Sequence, residues 1–218
     1  MSGAGDTTLL VIAKEPVPGR VKTRLSPPYT PEQAARLAEA SLADTLDTTA
    51  LLPARRRVLV LSGRPGTWLP RDAGYEVVPQ VDGGLDERIE AAFALCDGPA
   101  LLVGMDTPQL TADHLAPALT PAAWDDCDAW FGPAADGGFW ALGLARPEPG
   151  LVRGVPMSTE FTGLEQRRRL VGAGLTVRDL PTLRDVDTAE DAAEVAAACP
   201  GGRFAAVHRA AAREVAVR

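Results

Sequence analysis

The sequence predicts an α/β fold with a mostly parallel central sheet flanked by helices. Short apolar runs typical of buried strands alternate with segments whose apolar residues recur at helical spacing. The composition agrees, because 46% of the residues are hydrophobic but only 5% are aromatic, with Ala, Leu and Val dominating. A chain of 218 residues is long enough to bury one large core, so we expect a single domain built from βαβ units.

The strand candidates are short and mainly apolar, which is typical of a sheet covered on both faces. They are Leu9–Ala13, Val58–Leu61, Tyr75–Pro79, Leu101–Gly104, Ala129–Phe131, Phe139–Leu144 and Leu175–Leu180. The first four precede or follow helical segments of about ten to fifteen residues, the spacing expected of parallel strands joined by crossover helices.

The helix candidates combine capping signals with an apolar stripe. Thr30-Pro31-Glu32-Gln33 is a capping box with proline at the first helical position, and Ala35, Ala38, Leu42 and Leu46 follow on one face. Thr162-x-x-Glu165 predicts a second capping box that opens a helix to about Ala173. The other candidates are a stripe of Leu85, Ile89, Ala92, Phe93 and Cys96 closed by Gly98, a short helix capped by Thr111 with Leu115 and Leu119, and a helix from Asp187 or Thr188 through Val195.

We expect the domain to span residues 1–202, followed by a helical tail over 203–218. The tail places Phe204, Val207, Ala211 and Val215 at helical spacing, so we expect it to dock on the domain or to contact a second copy in a homodimer. Residues 145–162 are rich in proline, glycine and polar side chains, and this composition predicts a flexible loop over the functional site.

Charge and cysteine content exclude several classes of protein. A net charge of −7 and a pI near 4.9 argue against binding to nucleic acid or to an anionic membrane. No apolar run approaches the roughly 18 residues that span a bilayer, and the first residues, MSGAGDTT, lack the features of a secretory signal. Three isolated cysteines without a C-x-x-C pair argue against a disulfide framework and against a zinc site, so we expect a cytoplasmic protein.

The segment Ala13–Leu25, AKEPVPGRVKTRL, is the strongest functional signal. It follows the first apolar run, and its prolines and glycine impose a turn. Four cations, Lys14, Arg20, Lys22 and Arg24, stand against one acid, Glu15, in an otherwise acidic chain. Open α/β sheets bind ligands at the carboxyl ends of their strands, so this loop predicts a site for a small phosphate compound.

Two further strand ends carry carboxylates. Asp106 follows the apolar strand Leu101–Gly104, and Asp136 lies in the Asp-Gly-Gly turn before Phe139. Their carboxylates are expected at the same sheet edge as the basic loop, where they suit Mg²⁺, or Mn²⁺ in its place, shared with phosphate oxygens. Each alone also fits an ordinary turn, and the order of basic loop, strand-end Asp and Asp-Gly-Gly carries the prediction.

These motifs resemble a family of bacterial GT-A-like transferases associated with radical-SAM or selenodomain proteins. The matching pieces are Ala13-Lys14-x-Pro16-x-Pro18-Gly19-x-Val21-Lys22-Thr23-Arg24-Leu25, Gly104-x-Asp106-x-Pro108-x-Leu110, Gly132-Pro133-Ala134-x-Asp136-Gly137-Gly138-Phe139-Trp140 and Asp185-Val186-Asp187-Thr188-x-x-Asp191. The resemblance implies the nucleotide-diphospho-sugar transferase fold. The piece Lys22-Thr23-Arg24-Leu25 is also similar to the corresponding loop of phospholactate guanylyltransferases, which transfer a nucleotidyl group.

The resemblance implies roles for particular residues. Those expected to contact the nucleotide are Ala13, Lys14, Gly19, Lys22, Thr23, Arg24 and Arg88. Lys22, Arg24 and Asp106 are the expected catalytic residues, with Asp106 and Asp136 as metal ligands, and Ser158, Thr159 and Glu160 are expected to contact the acceptor. Relatives carry Asp-Leu-Gly-x-Arg where this chain has Gly84-Leu85-Asp86-Glu87-Arg88, and Asp82 or Asp86 is a candidate to compensate.

Three functions remain open from the sequence. The first is metal-dependent nucleotidyl transfer from a nucleoside triphosphate to a small phosphorylated acceptor, favoured by the number of cations in the first loop. The second is glycosyl transfer from a nucleoside-diphosphate sugar, with Asp136 or Glu160 as base. The third is a nucleotide-binding protein without activity, supported only by the altered segment 80–88. Arg167-Arg168-Arg169, Asp185 and Asp187 are weaker site candidates, because a solvated helix face and helix capping explain them equally well.

Overall fold

The computed structural model describes residues 6–69 and 74–216. Within those ranges one seven-stranded sheet runs through the molecule. Its strands are β1 (Thr8–Lys14), β2 (Arg56–Ser62), β3 (Tyr75–Pro79), β4 (Ala100–Gly104), β5 (Ala129–Pro133), β6 (Phe139–Leu144) and β7 (Val177–Asp179). Each of the seven strand predictions is confirmed, although the last strand is limited to Val177–Asp179 within the expected Leu175–Leu180.

The strand order is β3-β2-β1-β4-β6-β5-β7, and β6 runs against the other six. The sheet is therefore mixed but mostly parallel, as the sequence predicts. Because β1, β4 and β5 share one direction, their carboxyl ends meet at one edge. The loops after Lys14, Gly104 and Pro133 all leave the sheet at this edge.

Helices cover both faces of the sheet. Six α-helices occur in the described ranges: α1 (Pro31–Ala50), α2 (Leu85–Phe93), α3 (Ala112–Leu115), α4 (Thr162–Gly172), α5 (Ala189–Ala198) and α6 (Arg203–Ala216). Leu42 and Leu46 of α1 pack with Leu9 and Leu59 on one face, whereas Ile89 of α2 and Leu170 of α4 pack with Leu102 on the other. This alternation of side chains along the strands accounts for their almost uninterrupted apolar sequences.

A third apolar cluster lies on the outer side of α1. Leu37 of α1 packs there with Phe204 of α6 and Val195 of α5, all of them almost completely buried. Leu25 of the basic loop and Val186 of the Asp185–Asp187 segment belong to the same cluster. The C-terminal helix α6 thus packs on the domain, which is one of the two arrangements expected for the tail. It also contacts the cluster that holds Leu25 of the basic loop and Val186 of the Asp185–Asp187 segment.

Two helix boundaries differ from the sequence prediction. The stripe that begins at Leu85 was expected to continue to Cys96 and Gly98, but α2 ends at Phe93. The amide of Leu95 turns to the carbonyl of Ala92, three residues back, and the Arg56 guanidinium binds the Leu95 carbonyl, which closes the helix early.

The capping box at Thr162 is wrong. Thr162 is the first residue of α4 and Phe161 is its N-cap. The Thr162 hydroxyl donates to the carbonyl of Pro156 and accepts from the amide of Thr159, so it does not cap the helix. By contrast, Thr30 with Gln33 and Thr188 with Asp191 form complete capping boxes at α1 and α5.

Candidate active site

The basic loop between β1 and α1 is held in a strained, well-defined shape. Gly19 has a φ of +75° and Lys22 a φ of +47°, and the second value is rarely adopted by a residue with a side chain. Thr23–Leu25 form a short 3₁₀ turn whose Leu25 is buried. Lys14, Arg20, Thr23 and Arg24 remain exposed at the sheet edge. The loop therefore presents its cations to solvent, with the exception of Lys22.

Lys22 points inward and joins two carboxylates. Its ammonium lies 2.9 Å from Oδ1 of Asp106 and 3.1 Å from Oδ1 of Asp187, and only 9% of its side chain is exposed. Burial lowers the pKa of Lys22, but the two carboxylates outweigh burial and the net shift is upward. Lys22 therefore stays protonated within an acidic cluster. Its side chain is buried, whereas those of the other cations in the loop are exposed.

Asp187 also pairs with Arg24, whose guanidinium lies 3.2 Å from Oδ2 of Asp187. Because Thr188 supplies the N-cap of α5, the Asp187 carboxylate is available for these two cations. The Arg24 side chain is 71% exposed, and this ion pair leaves most of its guanidinium open to a ligand.

Asp185 completes the acidic cluster. Its Oδ1 is buried and has no hydrogen-bond partner among the described residues. Burial, followed by the neighbouring charges of Asp106 and Asp136, raises the pKa of Asp185 to about 7, while Lys22 opposes this shift. The segment is fixed from two sides, because the Val186 amide donates to the Asp106 carbonyl and the Gln109 side chain donates to the Arg184 carbonyl.

The Asp136 turn lies beside this cluster. Ala134 pairs with Leu183, and the Ala135 amide donates to the Leu183 carbonyl at 2.8 Å, which places Asp136 next to the Asp185 segment. Oδ1 of Asp136 accepts the amide of Gly138 within the turn. The structure therefore brings together Asp106 and Asp136, as predicted, and adds Asp185 and Asp187 to them.

Arg88 approaches the basic loop through Gln80. The Gln80 side-chain amide donates to the carbonyl oxygens of Ala13 and Val60, and its oxygen faces the Arg88 guanidinium at 3.4 Å. Arg88 also donates to the Gly83 carbonyl, and neither contact involves a carboxylate. The sequence indicates Arg88 but assigns no role to Gln80, which is partly buried directly after strand β3.

The acceptor candidates Ser158, Thr159 and Glu160 are exposed and precede α4. A Cβ added at Gly137 would lie 2.0 Å from the carbonyl oxygen of Glu160, so their segment is in contact with the Asp136 turn. Of the weaker candidates, Arg167 pairs with Asp179, Arg168 with Glu165, and Arg169 binds main-chain carbonyls. These three arginines are engaged locally and do not reach the acidic cluster by any of those contacts.

The acidic cluster is suited to a divalent cation that is completed by a substrate. Its oxygen donors are of the kind Mg²⁺ and Mn²⁺ prefer, and one of them, Oδ1 of Asp185, is buried and receives no hydrogen bond from the part of the chain that the structure describes. The buried ammonium of Lys22 pairs with Asp106 and Asp187, and its charge also acts on Asp185. No three acidic, histidine or cysteine side chains of residues 6–69 and 74–216 form a ligand set by themselves. Mg²⁺ typically takes one or two carboxylates together with phosphate oxygens and water, and the cluster fits that pattern.

Among the helices of the described ranges, none combines the length and the apolar character of a membrane span.

The chain is similar in sequence to known proteins. The sequence profile of DUF2064, described as an uncharacterized protein conserved in bacteria, matches residues 45–159. The phosphoenolpyruvate guanylyltransferase of Salinispora arenicola (strain CNS-205) is 31% identical over 193 residues, which cover 86% of this chain and 87% of that protein.

Two solved structures have the same fold. A protein of Desulfovibrio desulfuricans G20 described as a nucleotide-diphospho-sugar transferase superposes with a TM-score of 0.83 at 23% identity, covering 97% of each chain. The inositol-1-phosphate CTP transferase of T. maritima gives a TM-score of 0.53 at 12% identity, covering 93% of this chain and 99% of that one. The chain therefore belongs to the DUF2064 family of bacterial proteins and has the nucleotide-diphospho-sugar transferase fold.

Proposed function

We propose that this protein is a metal-dependent nucleotidyltransferase, which transfers a nucleoside monophosphate from a triphosphate to a small phosphorylated acceptor and releases pyrophosphate. One observation carries the proposal: at one sheet edge, exposed cations of the first loop meet a carboxylate cluster, one buried oxygen of which has no hydrogen-bond partner within residues 6–69 and 74–216. Phosphoryl chemistry depends mainly on positioning and charge neutralisation, and this arrangement supplies both.

The nucleotide is expected to lie over the loop Ala13–Arg24. Lys14, Arg20 and Arg24 are exposed and can face the phosphate chain, while the positive φ of Gly19 lets the main chain approach closely. Arg88 adds a further cation near Ala13, because the Gln80 side chain contacts both residues. In this arrangement the triphosphate would lie near four cations in addition to Lys22.

The divalent cation is expected to bind Asp106 with Asp136 or Asp185, completed by phosphate oxygens. When bound, such an ion neutralises charge on the α-phosphate and on the departing pyrophosphate. Lys22 holds Asp106 and Asp187 in place and adds a fixed positive charge beside them. Asp185 contributes an oxygen that has no other partner within the described structure.

The chemical step needs no protein base. A phosphate monoester on the acceptor is largely ionised at neutral pH, since its second pKa is about 6. One of its oxygens attacks the α-phosphorus in line, the bond between that phosphorus and the bridging oxygen to the β-phosphate breaks, and pyrophosphate leaves with the electron pair. The acceptor is expected beside Asp136, where Ser158, Thr159 and Glu160 are exposed.

GTP and phosphoenolpyruvate are the first substrates to test, because the relative from Salinispora arenicola is a phosphoenolpyruvate guanylyltransferase. Glycosyl transfer would instead need a carboxylate base at an acceptor hydroxyl. Asp136 is committed to the acidic cluster and to the Gly138 amide, so no contact of this site favours that alternative. A protein without activity would not account for the retained cations and carboxylates.

The deciding experiment measures thermal stability and pyrophosphate release with each of the four nucleoside triphosphates, with and without Mg²⁺ and phosphoenolpyruvate. A ligand at 100 times its Kd adds about 2.7 kcal/mol, or very roughly 5–10 °C at this chain length. We expect a Mg²⁺-dependent shift with GTP and pyrophosphate release only when the acceptor is added. A shift with nucleoside-diphosphate sugars alone, without pyrophosphate release from any triphosphate, would contradict the proposal.

A further inference from the structure

The segment 145–161, here called the strap, is fastened to helix α2 by carboxylates. The Gly154 amide donates to Oδ2 of Asp86 at 2.8 Å, and the Gly150 amide donates to Oε1 of Glu90 at 2.7 Å. The hydrogen bond from Gly154 holds the pKa of Asp86 below its usual value. Arg153 adds an ion pair with Glu87 at 2.7 Å. Three acidic side chains of α2 therefore bind the middle of the strap.

Helix α4 holds the same part of the strap from its other side. Arg169 donates to the carbonyls of Gly150 and Arg153, and the fully buried Gln166 donates to the carbonyl of Leu151. Leu151 and Val152 are buried in the core beneath. The region that its composition predicts to be a flexible loop is thus tied into the fold by two helices.

The far end of the strap lies directly on the Asp136 turn. Gly137 and Gly163 pack without room for a side chain at either position, and the Gly163 amide donates to the Gly137 carbonyl at 2.8 Å. Thr162 ties this end to the strap by donating to the Pro156 carbonyl. Ser158–Glu160 therefore lie between two fixed points, the contact of α4 with the Asp136 turn and the part of the strap that α2 holds.

Helix α2 also reaches the nucleotide side of the site. Arg88 lies between Asp86 and Glu90 in sequence, and it contacts Gln80, which binds the Ala13 carbonyl. Asp86, Glu87 and Glu90, on the same helix, contact the strap instead. Asp86 accordingly does not compensate at the nucleotide loop, because its carboxylate binds the strap.

We propose that Asp86 and Glu90 are positioning residues that set the acceptor segment Ser158–Glu160 against the Asp136 turn. The inference rests on the proposed function for the identity of that segment as the acceptor side. Buried Leu151 and Val152 keep the strap on the molecule, but apolar packing is not directional. The two carboxylate-to-amide hydrogen bonds are directional and charge-assisted, so they define the register of the strap along α2, as the hydrogen bonds of Arg169 and Gln166 do along α4.

The first test is hydrogen exchange in the double variant Asp86→Ala/Glu90→Ala. We expect amides over residues 157–163, which neither carboxylate touches, to exchange about tenfold faster than in the unaltered protein. Asp128→Ala is the matched control, because Asp128 also accepts a main-chain amide, that of Thr176, at the opposite edge of the sheet. Unchanged exchange over 157–163 in the double variant, or an equal rise in the control, would overturn the inference.

The second test is steady-state kinetics with GTP and phosphoenolpyruvate. We expect the double variant to raise KM for phosphoenolpyruvate about tenfold, with kcat and KM for GTP changed less than threefold. An equal rise in both KM values, or a fall in kcat alone, would overturn a positioning role on the acceptor side. If the unaltered protein turns over no triphosphate, the proposed function fails, and the exchange experiment still decides whether the strap is positioned by α2.

Discussion

Replacing Asp185 by asparagine should make the metal-free protein more stable while removing a group the proposed reaction needs. Burial and the charges of Asp106 and Asp136 raise the pKa of Asp185 from 3.8 to about 7. The folded protein then keeps a proton that the unfolded chain loses above pH 4. The associated stability is present at low pH and is lost as the pH rises through about 7.

The magnitude follows from the shift of about three pH units. At 1.36 kcal/mol per unit, ionising Asp185 costs the folded state up to about 4 kcal/mol above pH 7. Asparagine is neutral at every pH, so Asp185→Asn escapes this cost. For a chain of this size the difference corresponds to a rise in Tm of as much as about 10 °C at pH 8, falling toward zero near pH 4.

The assay is thermal unfolding in EDTA from pH 4 to pH 8 for the unaltered protein, Asp185→Asn and Asp128→Asn. The control removes the same charge from an exposed hydrogen bond at the other sheet edge. Adding Mg²⁺ with GTP should stabilise the unaltered protein and leave Asp185→Asn much less affected. A Tm difference independent of pH, or an Asp185→Asn protein less stable throughout, would refute the electrostatic reasoning.

Three further predictions concern the same edge of the sheet. Asp106→Ala should abolish the Mg²⁺-dependent Tm shift with GTP while circular dichroism stays unchanged, and a retained shift would remove Asp106 from the metal site. Lys22→Ala should weaken GTP binding in calorimetry at least about tenfold, because two carboxylates lose their cation, whereas Arg168→Ala should leave it unchanged. Gly137→Ala should lower unfolding stability by roughly 3 kcal/mol or more, since its Cβ would meet the Glu160 carbonyl at 2.0 Å; Gly174→Ala, equally left-handed but in open space, should cost far less.

Much of the fold can be predicted from local sequence patterns. Apolar runs identify the five inner strands β1, β2, β4, β5 and β6 because these are buried on both faces, whereas the edge strands β3 and β7 are half-buried or exposed. Thr30 and Thr188 mark helix starts through contacts three residues away. Thr162 shows where such reasoning fails. The same spacing to Glu165 exists, but the hydroxyl binds Pro156 and Thr159 instead, and no local pattern predicts which partner is preferred.

The candidate site divides in the same way. Asp106 and Asp136 follow strands, and the rule that parallel strands end at one edge brings them together without further information. Asp185 and Asp187 follow the short strand β7 and precede α5, where helix capping was an equally good explanation. Only the tertiary pairing of Leu183 with Ala134, and of Val186 with Asp106, places them in the acidic cluster.

The position of Lys22 changes how the cations of the first loop divide their work. From sequence, Lys22 and Arg24 are equivalent phosphate ligands two residues apart. In the structure Lys22 is buried between Asp106 and Asp187, and those carboxylates already neutralise its charge. A paired ammonium contributes little net attraction to a triphosphate at a distance, so we expect nucleotide binding to depend mainly on the exposed Lys14, Arg20 and Arg24. Lys22 instead balances a cluster whose four carboxylates would otherwise repel one another, which makes it a condition for assembling the site.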